Sequence, residues 1–310
     1  MIETKYPVWL DVDTGVDDAA ALLVASRLTQ LDIRGISAVA GNVELEHTFA
    51  NTRNVCALAG LHVPVYRGAD KPLLRPLCTA AHVHGFDGLG GVVLPESDAP
   101  VETLPAWDAL YAEAVRQRGE LQLIATGPLT NLAIAFSKYP DLPKLLKRIL
   151  IMGGSSKEGN DTPAAEFNIY VDPHAAQAVF KCGAPLVMCG LDVTMQAMLL
   201  PDEIEAIGRS GRIGRFFRDS TKKALAFHQA HGTPGMCLHD VCPVLYVTHP
   251  HLFQGQEAGV YVETQGTVTL GKTVTDLWSD FQFPTKNAFV VLDVDRSAFA
   301  SLIRDLLTAG

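Results

Sequence analysis

Pro7-Val8-Trp9-Leu10-Asp11-Val12-Asp13 runs through Thr14-Gly15-Val16 into Asp17-Asp18-Ala19-Ala20-Ala21-Leu22-Leu23, a buried strand that turns directly into a helix. The first half is a short apolar run interrupted only near its end by acids, and Gly15 permits a tight turn. The second half opens on two acids, which the positive end of a helix favours, and continues on Ala and Leu, which propagate it. Outward from this unit the alternation recurs. Strands are expected at 33–40, 121–126, 148–152, 186–189 and 289–292, and helices at 45–61, 107–118, 129–137, 173–181 and 297–307, with a further helix opening at Pro201 and Asp202. Strands separated by helices of about ten residues predict an α/β fold with an open, mostly parallel sheet and helices on both faces. In such a sheet the active site belongs at the carboxyl ends of the strands. Two stretches, 67–105 and 153–168, carry no clear period; long loops in a compact fold are usually functional. The chain is therefore read as one domain, 1–310, with two long active-site loops.

The chain has 310 residues, of which 48% are hydrophobic and 19% charged, so it can bury a large core without staples. Its formal net charge of −9 argues against nucleic acid and against an anionic membrane surface as partners. No apolar run approaches the ~18 residues that span a bilayer. The start, Met1 to Leu10, lacks the apolar core of a secretory signal. The six cysteines contain no Cys-x-x-Cys pair and are expected to be reduced and mostly buried, which points to the cytoplasm and away from thiolate zinc.

The acids at the first strand end carry the chemistry. Asp17 and Asp18 could simply start a helix, with Thr14 as cap. That explanation fits Asp13 poorly, because a carboxylate at the end of a buried strand needs a compensating charge; Ca²⁺ or Mg²⁺ would supply it. For Asp11, two positions back on the same face, a ligand role and a structural one are both open. An EF-hand loop opening at Asp11 would need Gly at 16 and Glu at 22, where the chain has Val16 and Leu22. The Asp-x-Asp-x-Thr/Val motif of haloacid-dehalogenase phosphatases meets Gly15 instead.

Asp11-x-Asp13-x-Gly15-x-Asp17-Asp18 resembles the N-terminal signature of the inosine-uridine preferring nucleoside hydrolases. Ala40-Gly41-Asn42, Thr126-Gly127-Pro128-Leu129-Thr130-Asn131, Met152-Gly153-Gly154, Asn160-x5-Glu166-Phe167-Asn168, Asp172-Pro173 and His239-Asp240 follow in that family's order. The resemblance implies a nucleoside hydrolase type of α/β fold and hydrolysis of the N-glycosidic bond of ribonucleosides to ribose and free base, an activity of nucleoside salvage. It implies one Ca²⁺ held by Asp13, Asp18, the Thr126 carbonyl and Asp240, with Asp13 as general base toward a water and His239 as acid toward the leaving base. Substrate binding is then expected of Asp17, Asn42, Met152, Asn160, Glu166 and Asn168 around the ribose, and of His82, Phe227 and His231 around the base. His84 and His228 are neighbours without an assigned role. Segments 160–168, 188–197 and 262–266 most resemble the mixed-specificity enzymes, which accept purine and pyrimidine nucleosides. Relatives of this kind are homodimers or homotetramers. The competing readings are a catalytically silent nucleoside- or sugar-binding protein on the same scaffold and a dehalogenase-type phosphatase.

Overall fold

The computed structural model describes residues 5–278 and 285–309; Met1–Thr4 and Gly310, the ends of the expected domain, lie outside them. The strands are β1 (Tyr6–Val12), β2 (Leu31–Ala38), β3 (Val65–Arg67), β4 (Leu121–Ala125), β5 (Leu146–Met152), β6 (Leu186–Cys189), β7 (Met198–Leu199), β8 (Met236–Cys237), β9 (Phe253–Val262), β10 (Thr273–Asp276) and β11 (Ala288–Val294). The helices are α1 (Val16–Arg27), α2 (Leu45–Ala59), α3 (Ala81–His84), α4 (Ala106–Gln117), α5 (Thr130–Lys138), α6 (Phe167–Val171), α7 (Pro173–Phe180), α8 (Leu191–Thr194), α9 (Pro201–Gly208), α10 (Gly211–Ala230), α11 (Val241–Thr248) and α12 (Arg296–Thr308).

Among the described residues, nine strands form one sheet in the order β10-β9-β11-β6-β5-β4-β1-β2-β3, and β7 pairs β8 separately. From β3 across to β11 every pairing is parallel. β9 and β10 extend that edge antiparallel. The expected open, mostly parallel sheet is present; the antiparallel edge was not foreseen. Its strand β9 begins Phe-Gln-Gly-Gln-Glu and lies largely exposed there, which removes the apolar run that marks a parallel strand.

Alternation along β1 sorts side chains onto two cores. Val8, Leu10 and Val12 join α1, α2, α11 and α12 on one face. Trp9 joins α4, α5 and α7 on the other, where its indole donates to Ser37 Oγ at 2.9 Å. From β1 the chain steps to β2 and β3 on one side, then returns to β4 on the other. The carboxyl ends of β1 and β4 thus flank the crevice where a doubly wound sheet binds ligands. The helix expected over 45–61 runs Leu45–Ala59 and is closed by Gly60, a left-handed residue with φ 71°. The cysteines are free; Cys56, Cys189, Cys237 and Cys242 are buried. Among the described residues, no helix is long and apolar enough to cross a membrane.

Candidate active site

Asp11 and Asp13, adjacent on one face of an extended strand, have different fates. Asp11 is still within β1, and its Oδ1 accepts from Asn131 Nδ2 on α5 at 2.7 Å and from Ser37 Oγ on β2. It ties three elements together, which assigns it to structure. Asp13 lies just past the strand end, 1% exposed. Its Oδ2 accepts the Asn42 backbone N–H at 2.8 Å, while Oδ1 is buried with no hydrogen-bond partner. Two glycines make room for it: a Cβ on Gly41 would stand 2.1 Å from Asp13 Oδ2, and one on Gly127 2.9 Å from its Cβ.

Asp18 holds the first turn of α1, its Oδ2 accepting from the Gly15 N–H at 3.0 Å and from Asn42 Nδ2 at 3.2 Å. Its Oδ1 accepts from Thr126 Oγ1 at 2.8 Å, across from β4. Asp240 occupies the N-cap position of α11, yet its side chain caps nothing. It faces Asp17 and Asp18 instead, and ligand oxygens of Asp17, Asp18 and Asp240 lie within 4.8 Å of one another. The tight group therefore contains Asp17, expected among the sugar contacts, where the sequence placed Asp13. Asp13 remains close enough for its charge to be felt by Asp240.

Burial pushes all four carboxyls upward, and repulsion from neighbouring acids adds to it for Asp13, Asp18 and Asp240. Asp17 and Asp18 rise to about 6; Asp13 and Asp240 rise well above the carboxylate range. His84 is the neighbouring base, with Nδ1 3.8 Å from Asp17 Oδ1. Burial lowers it to about 4, so it brings no charge at neutral pH. Four buried carboxyls, with Asp13 Oδ1 and Asp17 Oδ1 both lacking a partner, form an all-oxygen donor set that fits a hard divalent cation.

A cavity of about 370 Å³ opens beside this cluster, a size suited to a small molecule. Asp17, Asn42, His82, Thr126, Met152, Asn160, Glu166, Asn168, Phe227, His231, His239 and Asp240 all line it; Asp13 and Asp18 are buried behind that lining. Asn168 donates from Nδ2 to the Thr126 carbonyl at 2.7 Å and to the Met152 carbonyl at 3.2 Å. Asn42 uses its own Nδ2 on the Asp13 carbonyl and Asp18. Both amides thus keep the oxygen as the uncommitted end. Asn160 is the reverse: its Oδ1 accepts from Phe167 N–H at 2.9 Å. Glu166 accepts three backbone N–H groups, those of Gly154, Asn168 and Ile169, and so caps α6 and pins the 153–168 loop. Burial still raises it to about 7.

The other end of the cavity is aromatic. Phe227 lies 4.2 Å from His231 and 5.6 Å from His82, ring centre to ring centre. His239 stands perpendicular to His228 at 6.1 Å, and its Nδ1 is 2.8 Å from Thr194 Oγ1. Burial, with His228 and His84 nearby, lowers His239 to about 3. Of the two loop histidines, His82 is the exposed one, whereas His84 is inserted against the start of α1, accepting the Val16 N–H at 3.1 Å. Sequence reasoning missed Asp161, which shares the loop already singled out, and Thr194, whose partner is distant in sequence and leaves no local signal.

The sequence profile described as inosine-uridine preferring nucleoside hydrolase matches residues 8–301. The chain is 39% identical over 297 residues to the non-specific ribonucleoside hydrolase RihC of Klebsiella pneumoniae, covering 95% of this chain and 96% of that one. It is 40% identical over 307 residues to the pyrimidine-specific ribonucleoside hydrolase RihA of Citrobacter koseri, covering 97% of each. Among solved structures, a plant nucleoside hydrolase superposes with a TM-score of 0.92 at 32% identity, covering 98% of this chain and 99% of that one. A purine-preferring ribonucleoside hydrolase from Gardnerella vaginalis superposes with a TM-score of 0.90 at 30% identity, covering 98% and 100%.

Proposed function

The chain belongs to the inosine-uridine preferring nucleoside hydrolase family, enzymes that cleave N-glycosidic bonds, and from that premise we propose that it is a Ca²⁺-dependent hydrolase of purine and pyrimidine ribonucleosides. The observation that supports this reading is the buried four-acid cluster at the β1/β4 crevice, set against an amide-lined cavity with an aromatic end. Asp13, Asp18, Asp240 and the Thr126 carbonyl would hold the cation, with Asp17 beside them. A divalent cation there supplies positive charge that acidifies a water and attracts vicinal hydroxyls.

The chain's own groups then divide the work. Asp13 is held by the Asn42 N–H through one oxygen, and its free oxygen, on a carboxyl of raised basicity, takes the proton from the attacking water. That water adds to C1′ as the C1′–N bond breaks and its electron pair leaves with the base; the base takes up a proton from solvent and Asp13 gives back the one it took, so the products are ribose and free base, and the transition state carries oxocarbenium-like charge on the sugar. The oxygens of Asn42 and Asn168, each fixed by its own amide nitrogen, accept from sugar hydroxyls and hold the ring in one orientation. Phe227 offers a face to the base, and the imidazoles of His84, His228 and His239 offer polar contacts around it.

Release of reducing sugar from uridine and from inosine tests the proposal. Both should yield ribose, and Asp13→Ala should lower kcat by about 10²-fold or more. A folded Asp13→Ala variant that keeps more than about a tenth of wild-type kcat, an effect under ~1.4 kcal/mol, contradicts the role given to Asp13.

A further inference from the structure

Three imidazoles line one wall of the cavity: His84, His228 and His239. In two of them the backbone dictates which nitrogen carries the hydrogen. The Val16 N–H donates to His84 Nδ1 at 3.1 Å, and the Cys237 N–H donates to His228 Nδ1 at 3.2 Å. A backbone N–H can only donate, so Nδ1 is the acceptor in each ring and the hydrogen resides on Nε2. For His239 the partner is the Thr194 hydroxyl, which could donate or accept. The surroundings settle its direction. Thr194 is 0% exposed at the end of α8, and among the described residues Thr194 Oγ1 has no hydrogen-bond partner other than His239 Nδ1. A buried hydroxyl that accepted from Nδ1–H would leave its own O–H unsatisfied, which a buried donor does not tolerate without cost.

We propose that Thr194 is a positioning residue whose hydroxyl donates to His239 Nδ1 and so fixes the tautomer that presents Nε2–H to the cavity. Resting on the nucleoside-hydrolase reading, this hydrogen is the one offered to the departing base. As the C1′–N bond breaks, the electron pair moves onto the base, and a preorganised N–H donor at that place stabilises the developing charge without needing a charged imidazole. Without the Thr194 hydroxyl, His239 is free to hold its hydrogen on Nδ1 and turn a lone pair toward the base, which repels the charge it should stabilise.

The test combines two readouts on the full chain. In wild type, ¹⁵N NMR of the histidine rings, with His239 assigned by its loss in His239→Gln, should show Nδ1 unprotonated and Nε2 protonated. In Thr194→Val, which keeps the shape and removes the hydroxyl, that signal should move toward a tautomer mixture, and Thr194→Ser should restore it. In turnover, Thr194→Val should lower kcat for inosine about tenfold with KM little changed. Hydrolysis of 4-nitrophenyl riboside, whose weakly basic leaving group needs no donor, should change less than about twofold. Thr194→Ser should recover inosine turnover. Equal losses on the two substrates, or a His239 protonated on Nδ1 in wild type, overturn the assignment. If wild type cleaves neither substrate, the functional reading fails, and the NMR signature alone decides the role of Thr194.

Discussion

Asp240 shows how a single residue separates a structural role from a chemical one. It stands where a helix cap should be, and its side chain makes no capping bond, turning instead to two other buried acids. Holding such a group costs stability unless a ligand offsets it, which is a common signature of a functional carboxylate. His239 illustrates the converse, a group made useful by being kept neutral. As an N–H donor it should matter most where the leaving base presents a good acceptor. His239→Ala is therefore expected to slow inosine hydrolysis more than uridine hydrolysis, and kcat/KM for both substrates on both proteins checks it; equal losses would reduce His239 to shaping the pocket. The sugar contacts carry a further expectation. With Asn42 and Asn168 turning fixed acceptors toward the cavity, removal of one hydroxyl leaves a buried partner unmatched. 2′-Deoxyuridine should be cleaved at least about tenfold less efficiently than uridine, and equal kcat/KM would contradict the arrangement.

At the scale of elements, the site is built from strand ends and the turns that follow them. The turn after β2 must pass so near Asp13 that only glycine fits, since a Cβ on Gly41 would stand 2.1 Å from Oδ2 and 2.7 Å from Pro128 Cδ. Gly41→Ala should leave the circular dichroism unchanged and lower kcat by about 10²-fold, because a displacement near 1 Å is enough to spoil a reacting geometry. Glu166 does for the 153–168 loop what Gly41 does for its turn. Three N–H groups converge on its carboxylate, and an amide in its place would set donor against donor. Glu166→Gln is expected to cost about 1–3 kcal/mol in urea unfolding. Much of this framework was legible in the sequence because strand and helix periods are local: the strand 186–189 was read directly, and the helix expected over 45–61 is α2 to within two residues. The acids of the first turn, Asn42, Thr126, Asn168 and Asp240 were legible through their motifs. What the chain could not disclose depends on tertiary contact. Asp11 and Asp13 look equivalent until Ser37 and Asn131 close on one of them. Similarly, Asp17 joins Asp18 and Asp240 only once α11 packs against α1, and Thr194 gains its meaning from a residue 45 positions away.

For the molecule as a whole, the sheet brings acids from the start of the chain and from residue 240 to one place, so the cluster exists only in the folded state. A cation bound there stabilises the fold by mass action. At a free concentration about a hundred times Kd the gain is ~2.7 kcal/mol, so Ca²⁺ should raise Tm by several degrees over the chelated protein. Asp240→Asn should shrink that shift while leaving the chelated protein no less stable, since it removes one of four repelling carboxyls. Scanning calorimetry on both proteins, with and without Ca²⁺, reads this directly. The most direct test of the cluster as a cation-dependent hydrolytic centre is ribose release from uridine by one preparation, measured as purified, after exhaustive chelation, and after Ca²⁺ is returned. The expected result is turnover that falls by at least about 10²-fold on chelation and recovers with Ca²⁺; turnover that persists undiminished in the chelated protein would contradict it.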